Sequence, residues 1–241
     1  GLPFIAEKPL AITRADFDKI RAGVEKKKLK HSQLLPLRFT PQFQAMYQLG
    51  HSGELGIIAQ IGGQKSYKKG AEAAWRNKAA TFSGTIPWVG IHMVDLMRWT
   101  SGRDFTEAAA FQAHLGMPEL GERDNAAAIL FRMDNGGVAS LRIDYLRPDS
   151  AVTHGDDRLR LAGTNGVAEY MEATGVTLMK VGEKPRRLEN LPPAKSVFVE
   201  FLKSLYMGGP EPISQEDIWR ANIICLRARE AAETQRMLKL S

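Results

Sequence analysis

The pattern of hydrophobic and polar residues changes character near residue 40. Before that point, the apolar segment Leu2–Ala6 predicts a short strand, and Thr13 caps a predicted helix whose apolar stripe begins at Phe17. The stretch Gln33–Leu35 predicts a second short strand. Strand, helix and strand in this order are typical of the last part of a parallel α/β layer.

Beyond Pro41 the pattern predicts a series of strands among a few helices. The predicted strands are Leu55–Ile61, Phe105–His114, Ala126–Met133, Val138–Tyr145, Arg158–Ala162 and Val176–Val181. The predicted helices are Pro41–Leu49, Gly90–Ser101, Lys195–Tyr206 and a last helix that starts at Ser214, and residues 65–83 are expected to form a polar loop. Asn135-Gly136 predicts a tight hairpin, because this pair readily takes the positive φ of such turns. The pattern indicates an α+β domain with a large, mostly antiparallel sheet.

Several classes of site are not expected from the composition. The chain of 241 residues has one cysteine, Cys225, so it can form no internal disulfide and no cysteine-based zinc site. The five histidines are far apart in the sequence, and we expect no metal. No apolar run approaches the roughly 18 residues of a membrane span. We therefore expect a cytoplasmic protein that does not enter a membrane.

The net charge of +6 raises the question of an anionic partner. The basic runs are Lys26–Lys28 and Lys68–Lys69, and neither is interleaved with the aromatic residues that stack on nucleic-acid bases. A solvated helix end and a loop account for the two runs, so we expect no binding of nucleic acid. Steering of an anionic substrate or cofactor would produce the same excess of positive charge.

The first candidate for chemistry is Glu7-Lys8-Pro9, at the exit of the first predicted strand. Ligands of parallel α/β layers bind in the crevice at the carboxyl ends of the strands. A lysine at this place can reach a substrate oxygen or a cofactor ribose. A surface lysine that follows a strand is the alternative interpretation.

The second candidate is the predicted helix that carries His92, Asp95 and Trp99, with Trp88 one turn earlier. Spacings of three and four residues put these side chains on one helix face. Histidine titrates near neutral pH and suits a general base for an alcohol proton. The alternative is a core histidine whose hydrogen bonds are satisfied by Asp95 or by a backbone carbonyl.

These motifs resemble a known family in their order and spacing. The segments that carry the resemblance are Glu7-Lys8-Pro9, Arg38-x-x-Pro41, Gly53–Gly56, Gly90-x-His92-x-x-Asp95, Asn135–Gly137, Gly163–Gly166 and Ser214–Asp217. Together they are similar to the Gfo/Idh/MocA family, which includes glucose–fructose oxidoreductase and inositol dehydrogenase. The resemblance spans essentially the whole chain.

The resemblance implies a domain organisation. Residues 41–241 would form a substrate-binding and oligomerisation domain like the C-terminal domain of glyceraldehyde-3-phosphate dehydrogenase. Residues 1–40 would be the C-terminal remnant of a Rossmann domain, and we expect the natural protein to continue upstream by about ninety residues. No Gly-x-Gly-x-x-Gly follows a strand in this chain, so NAD or NADP would be bound mainly by the upstream half, and this piece alone is expected to be inactive.

The resemblance also implies roles for residues. Lys8 and His92 would be catalytic, with Asp95 orienting the histidine, and Glu7 and Pro9 would join Lys8 beside the nicotinamide. Arg38, Arg76 and Trp88 are candidates for binding the substrate. One departure stands out: dehydrogenases of the family place an aspartate one turn before the histidine, where this chain has Trp88. Tryptophan offers a flat apolar face and one N–H donor, and it cannot accept a proton.

The expected function is hydride transfer between NAD or NADP and a sugar- or polyol-like alcohol, in a homo-oligomer (a dimer or tetramer) assembled through the sheet face. Because Trp88 replaces the aspartate, two alternatives stay open. One is a family member that uses transient oxidation for elimination or glycoside cleavage. The other is an oligomerising relative without catalysis.

Overall fold

The computed structural model describes residues 1–70 and 73–240, which form two sheets that pack with the helices around one hydrophobic core. The first sheet pairs β1 (Phe4–Ala6) with β2 (His31–Gln33) in parallel, with Phe4 opposite His31. Helix α1 (Arg14–Lys26) connects them, and the Thr13 hydroxyl accepts a hydrogen bond from the Asp16 N–H at its start. The predicted strand–helix–strand order is confirmed; β1 is shorter than expected, and β2 begins two residues earlier than predicted.

A second sheet contains the other nine strands found among the described residues. These strands are β3 (Ile58–Lys68), β4 (Phe105–Ala113), β5 (Ala126–Met133), β6 (Val138–Arg147), β7 (Gly155–Gly163), β8 (Gly166–Met171), β9 (Gly175–Lys180), β10 (Arg186–Arg187) and β11 (Leu238–Lys239). Their order across the sheet is β10-β9-β8-β7-β3-β6-β5-β4-β11. Every neighbouring pair is antiparallel except β3 and β6, which run in parallel. The predicted fold class, α+β with a large and mostly antiparallel sheet, is confirmed.

Helices cover one face of this sheet. They are α2 (Pro41–His51), α3 (Ile91–Ser101) and α5 (Gln215–Thr234), whereas α4 (Val197–Tyr206) lies between β10 and α5 along the chain. In β5, buried and exposed residues alternate along the strand, as expected for a sheet packed on one side only. Helix α5 also packs against α1 and β2, so one core joins both sheets.

Two glycines let α3 approach the sheet closely. A Cβ atom at Gly63 of β3 would lie 2.7 Å from Cγ of Met93, and one at Gly90 would lie 2.6 Å from Cδ1 of Ile143. Any larger residue at either place would push the helix away from the strands. The start of α3, which carries His92, is therefore held directly against the centre of the sheet.

The structure differs from the sequence prediction at β3, at β8 and before α3, and it adds the two-residue strands β10 and β11. Strand β3 continues through Lys68 into the predicted loop, although Lys65 interrupts its apolar face. Strand β8 was not predicted, because it is short and follows the Gly-Thr-Asn-Gly turn directly. A π-helical turn, Ile86–Gly90, precedes α3 and places Trp88 ahead of the regular helix. None of the described helices is both long and apolar enough to cross a membrane.

The close contact between α2 and α3 gives a test of this packing. A Cβ atom at Gly50 would lie 1.8 Å from the Thr100 carbonyl oxygen, which is backbone and cannot rotate away. We expect Gly50→Ala to lower the free energy of unfolding by about 1–3 kcal/mol or more, as measured by urea denaturation. The matched control is Gly23→Ala in α1, where nothing lies within 4 Å and the helix should gain about 0.5–1 kcal/mol. Equal effects of the two changes would contradict the packing described.

Candidate functional site

Lys8 lies just beyond the carboxyl end of β1, where the chain turns towards α1. Its Nζ atom donates a hydrogen bond to the backbone carbonyl of Trp88 at 2.6 Å and lies 3.9 Å from the centre of the indole ring. The Lys8–Pro9 peptide bond is cis. The ammonium group is therefore held by a carbonyl and an aromatic face, and both partners are electrically neutral.

Aromatic and cationic side chains enclose the indole of Trp88. The guanidinium of Arg76 lies 4.6 Å from the centre of its ring, within the range of a cation–π interaction. Trp75 packs edge-on at 5.6 Å between ring centres, and Phe82 approaches at 5.8 Å. The Trp88 side chain is thus held in place by its neighbours, and both Lys8 and Arg76 contact its ring.

His92 is in the first turn of α3, one turn beyond Trp88. Its Nδ1 atom is buried and has no hydrogen-bond partner within the part of the chain that the structure describes. Burial, reinforced by the ammonium groups of Lys65 and Lys8, holds the pKa of the imidazole well below its usual range. The ring is therefore neutral near pH 7 and able to accept a proton.

A cavity of about 280 Å³ brings these groups together. The described residues that line it are Lys8, Tyr67, Lys68, Gly70, Arg76, Trp88, Val89, His92, Tyr145 and His154. They come from the segment after β1, from β3 and β6, from the short helical turn Ala74–Asn77, from the π-helical turn and first turn of α3, and from the residue before β7. A second cavity of similar size lies between Thr13 and Arg229 but contains neither Lys8 nor His92.

Burial lowers the pKa of Lys8 to about 8. The carboxylate of Glu7 opposes this change, whereas the positive charges of Arg76 and Lys65 reinforce it. Near neutral pH most Lys8 side chains carry a proton, and a small increase in pH removes it. A lysine of this kind can donate a hydrogen bond to a substrate oxygen and can also exchange a proton with it.

The sequence analysis missed the basic group beneath the cavity. Lys65 is completely buried (0% exposed) and donates to Oδ2 of Asp157 at 2.7 Å. Its Nζ lies 4.8 Å from the centre of the Tyr67 ring, which lines the cavity. A usable signal was present: Ile61, Gly63 and Lys65 fall on alternate positions of one strand, so the lysine occupies the inward face.

Asp95 does not orient His92, contrary to the expectation from sequence. Its carboxylate, 1% exposed, accepts from Nε of Arg38 at 2.7 Å and also from the Nη2 of that guanidinium. Three residues along a helix turn the chain by about 300°, which leaves two side chains about 60° apart and free to take different partners. Trp99, four residues after Asp95, stacks on the ring of Tyr47 with 4.5 Å between the ring centres. The expectation that all four side chains share one working face was wrong.

Arg38 also lies outside the cavity. It is 4% exposed and pairs with Asp217 of α5 at 3.0 Å as well as with Asp95, so its guanidinium is engaged in holding elements together. Of the predicted substrate-binding residues, the structure brings Arg76 and Trp88 to the cavity and leaves Arg38 apart. Glu7 is exposed and accepts a hydrogen bond from the Lys8 backbone N–H at 3.0 Å.

Comparison with known proteins identifies the chain. Residues 43–169 match the family described as the GFO/IDH/MocA C-terminal domain. The chain belongs to this family. No match was found among curated proteins.

The solved structures of relatives agree with this membership. A proposed oxidoreductase from Thermotoga maritima is 34% identical, with a TM-score of 0.92 over 97% of this chain and 71% of that one. Levoglucosan dehydrogenase in complex with NADH and levoglucosan is similar in fold, with 17% identity and a TM-score of 0.85 over 99% of this chain and 74% of the other. Aldose-aldose oxidoreductase from Caulobacter crescentus, complexed with glycerol, has 21% identity and a TM-score of 0.82 over 98% of this chain and 71% of that one.

The surroundings of Lys8 predict how its titration responds to one neighbour. In Glu7→Gln the pKa of Lys8 should fall below about 8, because the carboxylate that raises it is gone. NMR of reductively ¹³C-methylated lysines measures this pKa, and the signal is assigned by its loss in Lys8→Arg. Glu25→Gln, in an exposed ion pair with Arg21 on α1, is the matched control. A Lys8 pKa that stays unchanged in Glu7→Gln would refute the assigned electrostatics.

The engagement of Asp95 with Arg38 predicts a structural effect. Asp95→Asn should lower the free energy of unfolding on the order of 3 kcal/mol in urea denaturation, because the buried guanidinium of Arg38 loses the more deeply buried of its two carboxylates and keeps only Asp217. Asp18→Asn, which breaks an exposed pair with Arg14, should cost less than about 1 kcal/mol. If Asp95→Asn instead left stability intact and changed only the titration of His92, the sequence-based role would be restored.

Proposed function

We propose that this chain is the substrate-binding part of an NAD- or NADP-dependent oxidoreductase that acts on a sugar- or polyol-like alcohol. The observation that carries the proposal is the meeting of Lys8 and His92 in one cavity, the first at the end of a parallel strand and the second with a neutral, partly buried imidazole. Family membership and the NADH complex of levoglucosan dehydrogenase support the cofactor class.

The residues around Lys8 fit the nicotinamide end of such a cofactor. The Lys8 ammonium lies against the flat indole of Trp88, and the unpaired buried Nδ1 of His92 is a polar atom that nothing else in the described chain satisfies. We propose that Lys8 and Trp88, with Glu7 and Pro9 shaping the turn, hold the nicotinamide. When bound, the nicotinamide would exchange a hydride, that is one proton with two electrons, with the substrate carbon. The chain has no glycine-rich loop for the pyrophosphate.

The roles of the two residues follow from their charge states. His92, neutral at pH 7, takes the proton from the substrate hydroxyl, and its imidazolium form returns that proton in the reverse direction. Lys8, protonated below about pH 8, donates a hydrogen bond to the same oxygen and stabilises negative charge that develops on it. Arg76 and Trp88 line the same cavity, and they position the part of the substrate that does not react.

A second candidate function has one observation in its favour. Trp88 stands where the family pattern has an aspartate, so the Lys–Asp–His trio of family dehydrogenases is incomplete. A reaction that oxidises the substrate transiently, as in elimination or glycoside cleavage, would return the electrons to the substrate. Product analysis separates the two: net reduction of NAD in proportion to product supports the dehydrogenase, and no net reduction supports the alternative.

The outer face of the large sheet supports the expected self-association. Phe111 of β4, Leu130 of β5 and Val138 of β6 lie exposed on this face of neighbouring strands. We propose that two or more copies of the chain pair through it. A sedimentation experiment that shows only monomers at micromolar concentration would contradict the proposed self-association.

The proposed base gives a direct test in the whole protein. His92→Ala should lower kcat by about 10²–10⁴-fold. His114→Ala, at an exposed loop position where Nε2 bonds the Met117 carbonyl, should leave the rate unchanged. In the unaltered enzyme kcat/KM should fall as pH rises through about 8, where Lys8 loses its proton. Turnover that survives in His92→Ala would refute the proposed role.

A further inference from the structure

A side-chain amide of α5 holds the turn that carries Lys8. The backbone N–H of Leu10 donates to Oδ1 of Asn222 at 3.0 Å. Pro9 has no N–H, and the N–H of Lys8 is bonded to the neighbouring Glu7 carboxylate, so neither ties the turn to a distant part of the chain. The Leu10 bond therefore connects the backbone just beyond Lys8 to the buried interior of α5.

The amide of Asn222 has a fixed orientation. Its Nδ2 donates to the Ile218 carbonyl at 2.8 Å and to Oε1 of Gln33 at 2.9 Å. The reverse orientation would point the amide nitrogen at the Leu10 N–H, donor against donor, and the amide oxygen at the Ile218 carbonyl, acceptor against acceptor. Asn222 thus presents its oxygen to Leu10 in one orientation only.

Gln33 connects this amide to the parallel sheet. It is buried at the end of β2, opposite Ala6 at the end of β1. The Lys8 turn begins directly after Ala6, at the carboxyl edge where parallel strands bind ligands. The amides of Gln33 and Asn222 therefore join α5 to the ends of both strands at the base of this turn.

Helix α5 also packs against the elements that carry the other residues of the site. It contacts the π-helical turn that contains Trp88 and the helix α3 that contains His92. Because one continuous helix touches all of these elements, the bond from α5 to the Lys8 turn sets the position of the amine relative to Trp88 and His92.

We propose that Asn222 is a positioning residue, whose amide oxygen holds the turn after β1 so that the Lys8 amine lies on the same cavity as His92. Asn222 is not among the described residues that line this cavity, so it acts through Lys8. This role rests on the proposed oxidoreductase function, in which Lys8 hydrogen-bonds the reacting oxygen. A buried N–H that loses its acceptor costs free energy, so without Asn222 the turn moves until water reaches the Leu10 N–H.

Titration of Lys8 tests this role in the whole protein. Asn222→Leu has a similar volume, removes the amide and changes no charge, so Glu7, Arg76 and Lys65 still act on Lys8. A turn that moves outwards exposes the amine, and the pKa of Lys8 should rise from about 8 towards 10.5. NMR of reductively ¹³C-methylated lysines measures this rise.

The rate should change together with the titration. In Asn222→Leu kcat should fall by about tenfold to 10²-fold, because the amine leaves its place beside the reacting oxygen. The decrease of kcat/KM that accompanies deprotonation of Lys8 should move to higher pH with the pKa. A loss of stability alone would lower the fraction of active enzyme without moving this pH profile.

A milder variant and a matched control accompany this change. Asn222→Ser has a side chain one bond shorter, whose hydroxyl bonds back to the Ile218 carbonyl, so α5 is kept and the Leu10 N–H loses its acceptor. It should raise the same pKa, and it decides the question alone if Asn222→Leu does not fold. Asn125→Leu removes an equally buried amide (both are 1% exposed) that bonds the N–H and carbonyl of Leu115, and it should leave the pKa unchanged.

Turnover separates this inference from the proposed function. If the Lys8 pKa rises in the Asn222 variants but no alcohol reduces NAD or NADP, the redox function is wrong and the positioning role stands. If alcohols reduce the cofactor and the Lys8 pKa and the pH profile stay unchanged in the Asn222 variants, the redox function stands and the positioning role is wrong. A shift of equal size in Asn125→Leu would also overturn the positioning role.

Discussion

The buried ion pair between Arg38 and Asp95 fixes the position of the helix on which the site depends. It connects the segment after β2 to the middle of α3, and Asp217 extends the connection to α5. Arg98 then links Asp217 to Asp104 at the start of β4, so charges of alternating sign tie four parts of the chain together. Because each buried charge needs its partner, α3 can neither rotate nor slide without cost. His92 lies on the same helix and is therefore also held in place.

The electrostatic arrangement is different around His92, about one turn earlier on α3. Around Asp95 every positive charge has an opposite charge within hydrogen-bonding distance, whereas the cavity next to His92 collects lysines held by carbonyls and aromatic rings. The paired charges around Asp95 hold that part of α3 in place. Burial lowers the pKa values of Lys8 and His92, and the positive charges near them act in the same direction, so both groups stay responsive to a ligand.

Local signals explain how much of this arrangement the sequence could predict. Thr13 and Ser214 mark helix starts by their type and spacing, and the hydroxyls of both accept the expected capping bonds. Lys8 and His92 were recognisable because strand ends and helix faces are readable from periodicity and from a family resemblance. The partner of Asp95 was not readable, since Arg38 is distant in sequence and only tertiary packing selects it over His92. Lys65 was missed for a related reason: a charged residue in an apolar alternation resembles the end of a strand until its counter-charge, Asp157, is seen.

The bond from Lys8 to residue 88 ends on the main chain, and this has an evolutionary consequence. A carbonyl group is present whatever side chain stands at that position, so the lysine keeps its anchor when the side chain changes. Position 88 can therefore exchange an acid for an indole without displacing Lys8. In such an architecture, the side chain at position 88 can adapt the site to a new ligand while the main chain at the same position keeps the reactive amine in place.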